Sequence, residues 1–267
     1  MDDIVISSAD GVGTVRINRP DRGNSVTPDV VTRLAAAVSD MVDSDTISAV
    51  VLTGTGSVFC AGADVKDMFE IYSADGPDAL MDYLGLTWMP AVQRTVRTLW
   101  SARKPLIAAY NGAATAGGLD FGLSCDVRLS ARSARFAESY VNLGMVPVAG
   151  GAYLLPSLVG LSTATRMLAS GAFIDADEAL RTGMVAEVCD DDRLLDRVHE
   201  VALEMSQGPS ATFARAKQVA RAAATVELEA ALQESLAANI QLIALPEVRG
   251  RILAVMERYS LARARHV

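Results

Sequence analysis

The stretch TAGGLDFGLSCD (residues 115–126) places a single carboxylate, Asp120, directly after a glycine pair and then runs on through Phe, Leu and Cys. A carboxylate carried into apolar surroundings without a partner costs several kcal/mol or takes up a proton. The stretch follows KPLIAAYNG (104–112), an apolar run with the composition of a buried strand. Together they read as a strand, a tight turn of small residues and a helix that begins at the glycine pair, with Asp120 in its first turn. A second passage has the same form: ISAVVLTG (47–54) is a buried strand, and FCAGADVKDM (59–68) is a small-residue turn that leads into a helix.

Working outward, VGTVRIN (12–18) reads as a strand and PDVVTRLAAAVSDMV (28–42) as an amphipathic helix with Pro in its first turn. The region 65–103 is helical, polar and rich in Met. DVRLS (126–130) is a strand, and ARFAESYVNLG (134–144) continues the alternation. From Thr163 onward the pattern is nearly all helical, as Leu194, Val198, Val201 and Met205 illustrate by their helical spacing. This predicts an α/β core followed by a helical C-terminal region.

The 267 residues, 51% of them hydrophobic, suffice for one large α/β domain with a substantial core. The net charge of −8 argues against nucleic acid as a partner, because phosphate binding rests on clustered Lys and Arg. Charges interrupt every apolar run before a membrane-spanning length, and the start of the chain is acidic where a secretory signal is basic. A cytoplasmic protein that does not engage membranes is the expectation. Cys60, Cys125 and Cys189 form no close pair or metal-binding spacing, so reduced thiols and no metal are expected. The two histidines, His199 and His266, lie far along the chain from either glycine-rich turn and read as surface residues, against a Ser-His or Cys-His nucleophile. Neither a complete dinucleotide fingerprint nor a P-loop is present.

Small residues at a helix start let a ligand approach the backbone, and the first amides of a helix have no internal acceptor. If the two strands are neighbours in a parallel sheet, both turns lie at its carboxyl edge and their amides can converge on one oxyanion. The same residues equally suit ordinary tight connections.

The spelling FCAGADVKDM and NGAATAGGLDFGLSCDVRLS (111–130), with INRPDRGNSV (17–26) upstream and LGMVPVAGGAYLLPSLVG (143–160) downstream, resembles the enoyl-CoA hydratase/isomerase family, the crotonases, over about residues 12–188. The resemblance implies a spiral core of ββα units at 1–190 and a helical trimerisation region at 191–267, in a homotrimer or a dimer of trimers. It implies an acyl-CoA substrate whose coenzyme A is the only cofactor. The amides of Ala63 and Gly117 would hold the thioester oxygen as it becomes an enolate. Ala61, Val65 and Lys66 would line the coenzyme A site, with Asp64 beside them at the helix start, and Arg22 would approach the phosphates. Without the resemblance, Arg22 and Lys66 read as solvated surface cations, and Asp64 as a residue that complements a helix dipole.

The hydratases divide their proton transfers between two glutamates. Here the first position is Asp120, about 1.5 Å shorter in reach, and the second is Tyr140, a poor base at its ordinary pKa of about 10. Glu138, two residues earlier, faces the same side as Tyr140 if the segment is extended, and so either stands in for the missing acid or pairs with Arg135. An Asp at the first position also occurs among the dienoyl-CoA isomerases, which keep a Glu where Tyr140 stands. Ala116 and Val148 each replace a glycine usual in the family and narrow the space near the site. The expected activity is of the enoyl-CoA hydratase/isomerase type, carried by Asp120 with Glu138 or Tyr140. The alternatives are a thioester-binding protein with little turnover and an acyl-CoA thioester hydrolase.

Overall fold

The computed structural model describes residues 2–264; His266 lies outside them. The chain opens with β1 (Ile4–Ala9) and β2 (Val12–Ile17), an antiparallel pair, followed by α1 (Pro28–Asp43). Helix α1 begins where Thr27 accepts a hydrogen bond from the Val30 amide, and it buries Val30, Val31, Leu34, Val38 and Val42, one stripe at three- and four-residue spacing.

The next strands come in pairs that turn a corner. β3 (Ala49–Gly54) is followed by β4 (Val58–Cys60), β5 (Leu106–Tyr110) by β6 (Ala113–Thr115), and β7 (Val127–Ala131) by β8 (Arg135–Ala137). The first member of each pair joins a six-stranded sheet in the order β1-β2-β3-β5-β7-β10, and the second joins a four-stranded sheet in the order β4-β6-β8-β9. β9 (Ile174–Asp175) and β10 (Glu187–Cys189) are short and complete the two sheets. They also interrupt the stretch after Thr163 that the pattern assigns almost wholly to helix, being too brief to register as strands on their own. β2, β3, β5, β7 and β10 run parallel, and every residue of β3 and β5 is buried, which accounts for their continuous apolar spelling.

The corners stack tightly on one another. A side chain at Gly112 would overlap the Ser57 carbonyl, so the β5–β6 corner can lie against the β3–β4 corner only without a Cβ there. Asn111 ties the two together: its Oδ1 accepts from the Gly54 amide at 3.0 Å, and its Nδ2 donates to the Gly56 carbonyl at 2.8 Å.

Helices fill the connections. α2 (Val65–Asp82), a π-helical turn (Tyr83–Trp88) and α3 (Met89–Ser101) link β4 to β5; α4 (Gly117–Leu123) links β6 to β7; α5 (Gly151–Val159) and α6 (Leu161–Ser170) lead toward β9, and α7 (Ala176–Arg181) toward β10. The rest is helical: α8 (Leu194–Met205), α9 (Ser210–Ala244) and α10 (Pro246–Ala264), with α10 packed against α2. Among the described residues no helix is long and apolar enough to cross a membrane.

Candidate active site

β3 and β5 are hydrogen-bonded neighbours, so the two small-residue turns at the ends of the following short strands come out side by side. Thr115 Oγ1 donates to the Ala61 carbonyl at 3.0 Å. A Cβ built on Gly62, whose φ is +85°, would stand 3.7 Å from the Gly117 amide nitrogen. The turns are thus in contact, not merely on one edge. Hydrogen bonds from the Val26 amide to Gly62 and from the Asp64 amide to Val26 hold the first turn on both sides of Ala63. Neither the Ala63 nor the Gly117 amide has an acceptor among the described residues; Gly117 is the first residue of α4, where no preceding turn exists to accept.

Asp64 caps α2, its Oδ1 accepting from the amides of Lys66 and Asp67, and its carboxylate pairs with Arg19 at 2.8 Å and Arg22 at 3.3 Å. Its charge is therefore fully engaged inside the fold. Arg22 is held by that pair, Lys66 sits within 3.8 Å of Glu70, Ala61 is exposed and Val65 is half-buried. Arg19 was not anticipated; only its place two residues before Asp21 in the quoted RPDRGNS passage hinted that this loop carries two arginines.

Asp120 lies in the first turn of α4 and is fully buried. The expectation of an extended Glu138–Tyr140 segment is corrected: β8 ends at Ala137, and Ser139–Leu143 form a 3₁₀ turn. Glu138 and Tyr140 nevertheless reach one place, because the turn brings both back onto α4. Tyr140 donates its hydroxyl to Asp120 Oδ2 at 3.2 Å, and that hydroxyl would lie 3.3 Å from a Cβ on Gly117. Glu138 faces Asp120 and not Arg135, which is exposed. A methyl on Gly151, at the start of α5, would run into both Asp120 Oδ1 and Glu138 Oε1, so the second glycine of VAGGAY is the space these two carboxyls occupy. Its glycine pair was the only signal of this in the sequence. Trp88, the last residue of the π-helical turn, borders Gly117 from the other side, its ring 3.9 Å from the same Cβ position. Val148 is buried within the loop, its carbonyl accepting from Gln93.

Burial pushes the Asp120 carboxyl up to about 7 against the opposing pull of the neighbouring Glu138 carboxyl, the Tyr140 hydroxyl and the Gly151 amide. Burial and the Asp120 charge hold Glu138 well above the ordinary carboxylate range. Burial together with the two carboxyls holds the Tyr140 phenol well above its usual value, so it remains a hydrogen-bond donor at neutral pH. Titration near neutrality in a buried acid beside free backbone amides is the pattern of a proton-transfer site.

The enoyl-CoA hydratase/isomerase family model matches residues 7–258. The chain belongs to this family. It is 33% identical over 222 residues to the 1,2-epoxyphenylacetyl-CoA isomerase of Escherichia coli, covering 83% of each chain, and 30% identical over 233 residues to the short-chain-enoyl-CoA hydratase of Clostridium acetobutylicum, covering 87% of this chain and 86% of that one. A crystal structure of an enoyl-CoA hydratase from Mycobacterium avium subsp. paratuberculosis superposes with a TM-score of 0.81 at 28% identity, over 95% of this chain and 98% of the other. The fold is that of the crotonases, an α/β core with a helical C-terminal region.

The other reactive side chains are not drawn into this acid pair. His199 is half-buried on α8, 3.4 Å from Asp10, remote in sequence and packing from the two turns. Cys60 and Cys125 are buried thiols that burial pushes up to about 12, and among the described residues no group of three potential ligands is placed to hold a metal ion. A groove of about 790 Å³ between the end of α3 and α9 is lined by Trp100, Arg103, Arg215, Lys217, Gln218 and Arg221, and by none of the site residues. Its most buried cations, Lys217 and Arg221, are both spent on Asp126, so size alone does not make it the active site.

Proposed function

We propose that this member of the family stabilises the enolate of an acyl-CoA thioester with the Ala63 and Gly117 amides and moves a proton with Asp120. The observation that carries the reading is the contact between the two turns: two amides without acceptors stand beside a buried acid that titrates near neutrality. Amides fixed before the reaction stabilise charge as it develops on the thioester oxygen, at no cost of reorganisation. Such a donor contributes about 2.7–4 kcal/mol to lowering the barrier.

Between the two activities that relatives represent, isomerase chemistry suits this site better. Hydration requires one group to activate water and another to deliver a proton, and Tyr140 is a poor candidate for base with its phenol raised further. In a 3-enoyl thioester, Asp120 takes a proton from the carbon next to the carbonyl, the C–H electron pair passes into the enolate, and the same proton returns to the far end of the conjugated system as the double bond moves. One carboxylate suffices and nothing is consumed. Arg22, positioned by Asp64, and Lys66 are the cations offered to the coenzyme A phosphates, with Ala61 and Val65 along the pantetheine path. Coenzyme A arrives as part of the substrate and no separate cofactor enters the scheme. A cytoplasmic homotrimer or dimer of trimers, assembled through residues 191–267, accompanies this reading.

Incubation with crotonyl-CoA and with longer 2-enoyl and 3-enoyl thioesters, followed by enone absorbance, tests it. The 3-enoyl substrates should gain absorbance, and Asp120→Asn should lose about 10²–10⁴-fold in turnover with thioester binding intact. Release of free thiol would move the assignment to a hydrolase. Micromolar binding with no turnover of any thioester would make the chain a binding protein.

A further inference from the structure

Asp120 Oδ1 and both carboxyl oxygens of Glu138 are buried without a well-formed hydrogen bond to any donor among the described residues. Among the described residues no Lys, Arg or His contributes to the field at either carboxyl, and Arg135, the cation nearest to Glu138 in sequence, is exposed. Two buried carboxyls that converge over Gly151 therefore face each other without a counter-ion. Two negative charges about 4 Å apart repel by roughly 4 kcal/mol at an effective dielectric constant near 20, in addition to the cost of removing each from water. The pair must keep a proton.

Which group keeps it follows from their surroundings. Asp120 receives the Tyr140 hydroxyl at 3.2 Å and lies over the first amide of α5, both of which favour its charged form. Glu138 has around it, among the described residues, only the Asp120 carboxyl and the Tyr110 and Tyr140 phenols as ionisable groups, none of which brings a positive charge, and neither of its oxygens receives a hydrogen bond. We propose that Glu138 holds its proton throughout the neutral range and donates it toward Asp120, acting as a positioning residue that leaves Asp120 the only proton carrier of the site. This deepens the acyl-CoA reading and rests on it only for the kinetic part of its test. Glu138 then does not replace the missing second glutamate as an acid or base; it prepares the first.

Infrared titration of the ligand-free full-length protein in D₂O tests the proton count without any substrate. One protonated-carboxyl C=O band should persist from pH 6 to pH 9 and be lost in Glu138→Gln. A second should grow as pH falls through about 7 and be absent in Asp120→Asn. In kinetics, Glu138→Gln should keep kcat within about tenfold of the parent, since the amide still donates to Asp120. Glu138→Ala, lacking the donor, should move the acidic limb of the pH profile to higher pH, and the Gln variant should restore it. The absence of a persistent carboxyl band in the unaltered protein overturns the proposal. So does a Glu138→Gln variant as inactive as Asp120→Asn, which would make Glu138 a catalytic acid or base. If no thioester is turned over, the infrared bands still decide the proton count, so failure of the functional reading and failure of this inference are told apart.

Discussion

Ala116 carries a cost at the centre of the site. Its φ of +48° with ψ of −127° is a region that glycine enters freely and a residue with a Cβ does not, and it stands between β6 and the first amide of α4. The alanine methyl stands 3.5 Å from a Cβ position on Gly62, lining the seam between the two turns. Strain of this kind amounts to about 1–3 kcal/mol, and the extra freedom that glycine gives the unfolded chain returns about 0.4–1 kcal/mol. Ala116→Gly should therefore stabilise the protein by about 1 kcal/mol, a rise of about 2–4 °C in Tm for a chain of this size. Thermal melts of the two proteins at one pH check this, and an unchanged or lower Tm would mean that the packing of the methyl outweighs the backbone strain.

At the scale of elements, the middle of the first sheet, β2, β3, β5 and β7, was legible, while its edge strands β1 and β10 and the whole second sheet were not. β3 and β5 announce themselves as unbroken apolar runs because both their faces are covered. β4, β6, β8 and β9 are two or three residues long, too short for an alternation to repeat, and only the resemblance implied paired strands there. The two turns and Asp120 were readable because small residues beside one carboxylate are conspicuous. Gly151 was not, since its importance depends on what α5 is packed against. The attachment of α9 was equally hidden. Asp126 Oδ2 accepts from the Leu106 amide at 2.9 Å and from Lys217 at 2.8 Å, while its Oδ1 pairs with Arg221 at 2.9 Å. The Arg221 guanidinium stacks 3.8 Å over the Trp100 ring. Lys217 and Arg221 are only 8% and 17% exposed, so Asp126→Ala would strand two largely buried cations. The expected loss is about 3–5 kcal/mol in urea unfolding, with faster amide exchange in the first half of α9. A loss below about 1 kcal/mol would show that water entering the adjoining groove replaces the carboxylate.

For the whole molecule, the buried acid pair sets how stability depends on pH. The folded-state pKa of Asp120 lies at about 7, above its ordinary value of 3.8, so between those two the native chain holds a proton that the unfolded chain has released. Stability rises with pH only where the unfolded state binds more protons, and here it binds fewer. The contribution of Asp120 thus declines as pH climbs from about 4 to about 7 and is constant above. Glu138, shifted in the same direction, continues the decline to higher pH. On the proposed function this penalty is the cost of burying the base beside the two amides, the trade between activity and stability often met at active sites. Asp120→Asn removes the titration and leaves a neutral group of nearly the same shape. It should exceed the parent in stability at pH 8 by roughly 2–4 kcal/mol, one unit of pKa corresponding to about 1.36 kcal/mol. The advantage should shrink steadily and vanish near pH 4, where both side chains are neutral. Chemical denaturation of the two proteins at intervals from pH 4.5 to pH 8.5 gives the comparison directly. Parallel curves would mean that Asp120 is not raised in the folded state, and the cost in stability ascribed to burial of the acid pair at neutral pH would fall with it.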